Sequence, residues 1–434
     1  MPGIDRVIHS WIMARILILG AGFAGVEAAN ALERELGGSA EYDITLVNQN
    51  NYFMFTPLLP QIPSSFINPR HIVQPVRDIR GPRRYRFLRD TVRKIDAAAR
   101  RVECGTTTLD YDYLVLALGS LRNDFGVPGV GEHTLDFKSL EDAVTLREHV
   151  LDLCEHADHV EDATARGRLL TFVVVGGGYT GAELIAELQD FLYRYVLPRY
   201  RGIRKSDVQL ILLEATPKML NNVDPALAAH AQKRLRREGI KLRTGARVTR
   251  CLAGGVDVNG EEEIRSETVV WAAGIRAHEL AAQLPGPHNR IGQCVVNEYL
   301  QVEGHPEIFV AGDCASSTAA PMAPAVAPTA IDQGRLAGSN IARLVRNKPL
   351  EKYVHQAKGM AVTLGMNYAV LKIGPLRIRG LLAWLMGNAV HLYKLVGFKK
   401  QVQVFLDWSL AYLFPRDASM VRKPRKCKFC EPHG

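Results

Sequence analysis

Residues 14–36 read ARILILGAGFAGVEAANALEREL, and residues 169–197 read LLTFVVVGGGYTGAELIAELQDFLYRYVL. Each stretch passes from an apolar, β-branched run through a cluster of glycines into a row of helix formers. The run Arg15–Leu19 has the texture of a parallel strand buried on both faces. Ala24–Leu36 predicts a helix, and Tyr42–Val47 predicts a second buried strand. The later copy repeats this order and leads into DVQLILLEA at 207–215. The copies lie about 155 residues apart, too far for a solenoid repeat, so they predict two domains of one architecture.

The glycines sit where a dinucleotide turn needs them. Gly20 permits the tight turn, Gly22 lets backbone approach a pyrophosphate, and Gly25 lets the helix pack on its strand. Free N–H groups at the helix N-terminus then face the phosphates. Gly176, Gly178 and Gly181 repeat the set. An ordinary glycine-rich turn would account for one copy. Two copies, each after an apolar strand and ahead of a helix, predict two bound dinucleotides. The economical pairing is a resident flavin with a visiting nicotinamide.

The strand after the second turn ends in Glu214. A carboxylate there accepts both hydroxyls of an adenosine ribose and repels a 2′-phosphate, which favours NADH over NADPH. Asn48 holds the matching place in the first unit. Three further strands end in glycine: LDYDYLVLALGS at Gly119, ETVVWAAGI at Gly274, and EIFVAGDCA at Gly312. Asp313, beside the last, is placed to bond the ribityl chain of a flavin.

The chain has 434 residues, 47% of them hydrophobic, enough for two or three domains with buried cores. The net charge is +9. From Lys372 onward there are twelve Lys and Arg against three Asp and Glu, and the rest of the chain is balanced. A local basic excess predicts an anionic surface as partner. Nucleic acid is not expected, because the basic tail adjoins a long apolar stretch. Leu381–Phe398 has only Asn388, His391 and Lys394 as strongly polar members, spaced every three residues on one helical stripe. Falling short of a spanning length, it predicts a helix lying in the membrane interface, with Trp408 and Tyr412 at headgroup level. The seven cysteines are scattered, which predicts a reducing compartment rather than a disulfide framework. Cys427 and Cys430 form half a zinc site at most, so no metal is expected. No signal peptide is recognisable at the start.

The motifs GAGFAG, LVLALGS, VVVGGGYTGAE, WAAGI and IFVAGDCA together resemble the two-dinucleotide-binding-domain flavoproteins of the glutathione-reductase-like superfamily. The narrower resemblance is to type II NADH dehydrogenases, the single-subunit NADH:quinone oxidoreductases. NYFMFTPLLPQI at 51–62 resembles that family's segment lining the flavin. GGGYTGAELIAEL resembles its NADH turn, with Glu183 in the position of a glutamate near the nicotinamide. AKGMA carries Lys358, which resembles a lysine paired with that glutamate, in a motif one residue shorter. Residues 380–413 resemble the family's membrane-binding segment.

The resemblance implies an α/β protein with two Rossmann-like domains and a C-terminal amphipathic helical segment. It implies non-covalent FAD, NADH as substrate, and menaquinone or ubiquinone as acceptor, without proton pumping. Residues 13–125 and 291–350 would form the FAD domain in two parts, with an NADH domain inserted at 126–290. Residues 351–434 would form a membrane-associating region with a basic tail. A homodimer held peripherally on the cytoplasmic face of the membrane is expected.

The resemblance departs at APTAIDQG, residues 327–334. Pro328 and Asp332 stand where the family places two glutamines along its quinone tunnel, and only Gln333 fits the neighbouring pattern. Two other readings therefore stay open. One is a flavin-dependent NADH or sulfide oxidoreductase with another acceptor, in which Cys154 and Cys314 would matter. The other is a non-catalytic, membrane-bound redox sensor. For Glu183, a plain first-turn helix carboxylate is the alternative to a proton-handling role.

Overall fold

The computed structural model describes residues 13–37, 41–79, 85–320, 323–356 and 359–421. They form two compact units. The first holds the described residues up to Phe53, then Pro75–Leu121 and Arg276–Gln356. The second holds Met54–Gln74, Arg122–Ile275 and the described residues from Gly359 onward.

The first unit is built on an eight-stranded sheet. Its parallel centre runs His305–Val310, Tyr113–Leu116, Ala14–Leu19, Tyr42–Asn48, Arg86–Arg89. The helix Phe23–Leu36 follows the first strand and buries Ala24, Val26, Ala28, Ala31 and Leu32. Its main neighbour is the helix Ala327–Leu344. That approach is unusually close. A Cβ at Gly334 would lie 2.1 Å from the Ala24 carbonyl oxygen, and one at Gly338 would lie 2.5 Å from that of Ala28. Glycines four residues apart share one helix face, so the two backbones meet without side chains between them.

The second unit is built on a five-stranded parallel sheet ordered Leu135–Asp136, Thr268–Trp271, Thr171–Val175, Gln209–Glu214, Lys241–Thr244. Every side chain of Thr171–Val175 is buried, as its unbroken apolar run requires. The helix Tyr179–Phe191 follows directly and ends in a π-helical turn, Leu192–Val196. Segment 54–74, read from the sequence with the flavin domain, packs in this unit. It does so through polar side chains: the Ser64 hydroxyl donates to Glu187, and Gln61 accepts from the Trp408 indole.

The C-terminal elements also belong to this unit. Three antiparallel strands, Met360–Thr363, Ala369–Ile373 and Leu376–Gly380, lead into helices Leu381–Lys394 and Phe398–Leu413. Three expectations need correction here. The stretch 381–398 is not one helix: it ends at Lys394 and the chain turns at Gly397, whose φ is +92°. The polar stripe is also split: Lys394 stays exposed, while Asn388 and His391 turn inward. Asn388 is 4% exposed, and burial holds the His391 imidazole down at about 4, so it is neutral. Trp408 is likewise buried and bonded to Gln61, not placed at a surface. The outward side is apolar instead, with Leu382, Tyr393, Phe398, Phe405 and Leu413 exposed. Among the described residues, no helix is long and apolar enough to cross a membrane.

Replacing Gly334 by valine should cost ~1–3 kcal/mol, the usual penalty for overpacking a close contact. A thermal melt of the flavin-loaded protein checks this. An unchanged melting temperature would contradict the helix contact described.

Candidate functional site

The two glycine turns share one backbone geometry. Gly20 has φ +102° and Gly176 has φ +110°. A Cβ at Gly25 would fall 1.7 Å from the Gly20 oxygen, and one at Gly181 would fall 1.9 Å from the Gly176 oxygen. A Cβ at Gly22 or Gly178 would meet nothing within 4 Å. Both helices start at these open positions without a side-chain cap, which leaves room beside the first turn for an anionic group. Two of the glycines in each set serve packing, and the third leaves a cradle that fits a pyrophosphate.

The side chain ending the second strand closes each turn. The Ala21 amide donates to Asn48 Oδ1 at 3.0 Å, and the Gly177 amide donates to Glu214 Oε2 at 2.7 Å. Glu214 Oε1 accepts from the Thr216 amide and hydroxyl, at 2.8 and 2.7 Å. A carboxylate offers about four acceptor positions, so these three bonds orient Glu214 without exhausting it. Asn48 Nδ2 is engaged by the Asn50 carbonyl at 2.8 Å.

In the first unit a second group of residues converges. Asp313 Oδ2 accepts from the Ser120 hydroxyl at 2.6 Å, and the Cys314 thiol donates to the Gly119 carbonyl at 2.9 Å. Gly119 and Gly312 have φ of +77° and +72°. The Gly312 amide donates to Gln333 Oε1 at 2.8 Å, and Gln333 is buried. Its amide oxygen therefore supports the Gly312 turn. Pro328 and Asp332 lie early in the helix Ala327–Leu344. Cys154 and Cys314 are both fully buried thiols. Burial pushes each up to about 12, which makes them poor nucleophiles.

In the second unit, Gly274 has φ +64°, and the Phe125 ring covers the place where its Cβ would be. Glu183 lies in the second turn of the helix Tyr179–Phe191, with no acidic residue in the first turn. The first-turn reading is thus set aside. Its Oε1 accepts from the Thr363 amide at 2.9 Å and hydroxyl at 3.1 Å. Burial raises its carboxyl to about 7; the Thr363 bonds oppose this and the neighbouring Glu187 adds to it. Lys358 lies outside the described residues, as do Cys427 and Cys430. Among the described residues no cluster of ligands suits a metal.

Sequence reasoning missed Glu187, Asp190, Ser64, Thr363 and Arg416. Glu187 and Asp190 did carry a signal: they follow Glu183 at helical spacing in a segment otherwise apolar enough to be buried throughout. Arg416 carried none, because its partners lie far away in sequence.

The family described as pyridine nucleotide-disulphide oxidoreductase matches residues 14–334. The type II NADH:quinone oxidoreductase Ndh of Mycobacterium tuberculosis is 33% identical over 418 residues, covering 93% of this chain and 89% of that protein. The chain belongs to the type II NADH:quinone oxidoreductases. The fold alone would not have decided this. NDH2 of Plasmodium falciparum, solved in complex with NADH, superposes with a TM-score of 0.86 at 19% identity, covering 94% of this chain and all of that one. The sulfide:quinone oxidoreductase of Aquifex aeolicus also superposes, with a TM-score of 0.72 at 20% identity, covering 93% and 96%.

Replacing Glu214 by glutamine keeps the bond to Gly177 and removes the charge. The preference for NADH over NADPH, read as a ratio of kcat/KM values, should narrow by roughly tenfold to a hundredfold, the ~1.5–3 kcal/mol of a charged hydrogen bond. An unchanged ratio would contradict the assignment of Glu214.

Proposed function

We propose that the chain oxidises NADH and reduces a quinone at a membrane surface, using FAD held without a covalent bond. The observation that carries this reading is the pair of matching glycine turns, one closed by neutral Asn48 and the other by charged Glu214. In the first unit Gly20, Gly22, Gly25, Asn48, Gly119, Gly312 and Asp313 would hold the flavin. In the second, Gly176, Gly178, Gly181, Glu214 and Gly274 would hold NADH. When bound, the flavin supplies a hydride acceptor that passes electrons onward. The protein's own work is to orient the nicotinamide and to manage the proton that quinone reduction consumes.

Glu183 is the proton-handling residue in this proposal, with Lys358 as its partner. Protonated below about 7 and ionised above, it can donate only on the acid side. Wild-type quinone turnover should therefore fall as pH rises through about 7. Glu183→Gln should remove that inflection and lower turnover by about a hundredfold while flavin stays bound. A variant with wild-type turnover and pH profile would sink the role. Pro328, Asp332 and Gln333 mark the proposed acceptor side, with menaquinone or ubiquinone as the acceptor.

The membrane reading rests on the outward face of the two C-terminal helices. Tyr393, Phe398 and Leu413 are 84%, 80% and 75% exposed. Withdrawing each such side chain from water contributes ~1.5–3 kcal/mol, so a few suffice to dock the protein on a bilayer. Lys399, half-covered Lys400 and Lys394 flank the apolar face and suit anionic headgroups. A peripheral homodimer on the cytoplasmic face, acting without proton pumping, completes the proposal. The full-length protein should sediment with anionic liposomes, and Phe398→Glu with Leu413→Glu should release it. Sedimentation unaffected by both changes would refute this docking face.

A further inference from the structure

One helix face carries three buried acids in succession. Glu183, Glu187 and Asp190 sit at i, i+4 and i+7 of the helix Tyr179–Phe191, and all three are buried. Side chains at such spacings are neighbours, with about 5–6 Å between Cβ atoms. Burying three carboxylates side by side is costly unless they share protons and partners. Each has its own partner. Glu183 is held by Thr363. Glu187 Oε2 accepts from the Ser64 hydroxyl at 2.7 Å and lies 3.5 Å from Arg416 Nη1. Asp190 accepts from the Met366 amide, and its Oδ1 pairs at 2.9 Å with Arg194 Nε.

The row has an inner and an outer end. Arg194, one turn beyond Asp190, has a side chain 47% exposed. Arg416 has none of its side chain exposed, and its guanidinium lies over the rings of Phe66 and Tyr195, 4.2 and 4.8 Å from their centroids. Each member of this pair keeps one buried polar atom without a hydrogen-bond partner among the described residues: Glu187 Oε1 and Arg416 Nε. Native proteins rarely leave such atoms unpaired without a function for them. Glu187 is thus a carboxylate with one oxygen anchored and one oxygen open.

We propose that Glu187 is the middle station of a proton path that runs from solvent at Arg194 and Asp190, through Glu187, to Glu183. It rests on the role proposed above for Glu183. The balance is simple. NADH and a quinone give NAD and a quinol with uptake of one proton beyond the hydride, and that proton must come from water. Along the path a carboxylic O–H of one residue breaks as an O–H forms on the next carboxylate, directly or through one water. The open Oε1 of Glu187 is where the travelling proton lands. Arg416 positions Glu187 and offsets its charge between transfers. Burial raises Glu187 to about 7 against the pull of Arg416, which suits a group that must load and unload near neutrality. The other charges in this environment are Glu183 and Asp190 on the same helix, Arg194 beyond it, and Arg234, which lowers Asp190. Among uncharged groups, Ser64 bonds Glu187, and Met366 bonds Asp190 through its amide and Arg416 through its sulfur.

The test uses the full-length, flavin-loaded enzyme with Glu187→Gln, Glu187→Ala and Glu183→Gln side by side. Bleaching of the flavin by NADH should stay at the wild-type rate in Glu187→Gln. Quinone turnover should drop about tenfold or more, with a larger solvent deuterium isotope effect. Formate, a small carboxylic acid, should restore turnover in Glu187→Ala in proportion to its concentration, which a purely structural role would not allow. Reduction-induced infrared difference spectra should lose one buried carboxyl band in Glu187→Gln. Wild-type turnover and isotope effect in Glu187→Gln, with Glu183→Gln impaired, would overturn the path and leave Glu183 standing. Both variants at wild-type levels would overturn the Glu183 role itself. Should Glu187→Gln lose its flavin, Glu187→Ala with and without formate carries the test through turnover and isotope effect.

Discussion

Everything in this protein that handles a nucleotide depends on how closely a helix N-terminus can approach the end of its strand. At Gly25 and Gly181 the space left for a side chain is under 2 Å. Any Cβ there would push the helix away and withdraw its first N–H groups from the cradle at Gly22 or Gly178. The strand-end side chains Asn48 and Glu214 then tie each turn down through one backbone amide. The same geometry is thus used twice, with a different closing side chain in each turn. In the function proposed above, the charge of Glu214 suits a visiting NADH and the neutral Asn48 a resident flavin.

The helix Tyr179–Phe191 does two kinds of work. Its first turn, uncapped by any side chain, presents N–H groups at Gly178. Its later turns bury a row of acids that contributes nothing to a hydrophobic core. Burying carboxylates is expensive, and the structure offsets the cost with Thr363, Ser64, Arg416, Arg194 and the Met366 amide. Apart from Arg194, on the π-turn that ends the same helix, these partners come from segments 54–74, 359–380 and 414–417. The segments that cover the acid row therefore belong to the second unit for a polar reason as much as an apolar one.

The Rossmann units were legible because their signals are local. A buried strand, a glycine turn and a helix are neighbours in sequence, and the predicted Ala24–Leu36 helix and Tyr42–Val47 strand agree with those observed to within one residue. The C-terminal region shows where local signals stop. A polar residue every third position says that Asn388 and His391 share a face, but not whether that face meets water or protein. Asn388 and His391 turn inward while Lys394 stays exposed, and Trp408 is buried, so the expectation held for only one residue of the stripe. Arg416 was illegible for a different reason: its partners Ser64 and Glu187 lie hundreds of residues away, and a basic tail looks like a solvated tail until the fold is known.

The proposed function stands on two nucleotide sites in one chain that pass electrons from a nicotinamide to a flavin. The most direct measurement mixes the flavin-loaded protein anaerobically with one equivalent of NADH and follows flavin absorbance. NADH should bleach the flavin fully, NADPH much more slowly, and a quinone should then restore the oxidised spectrum. A flavin spectrum unchanged by NADH would contradict that function.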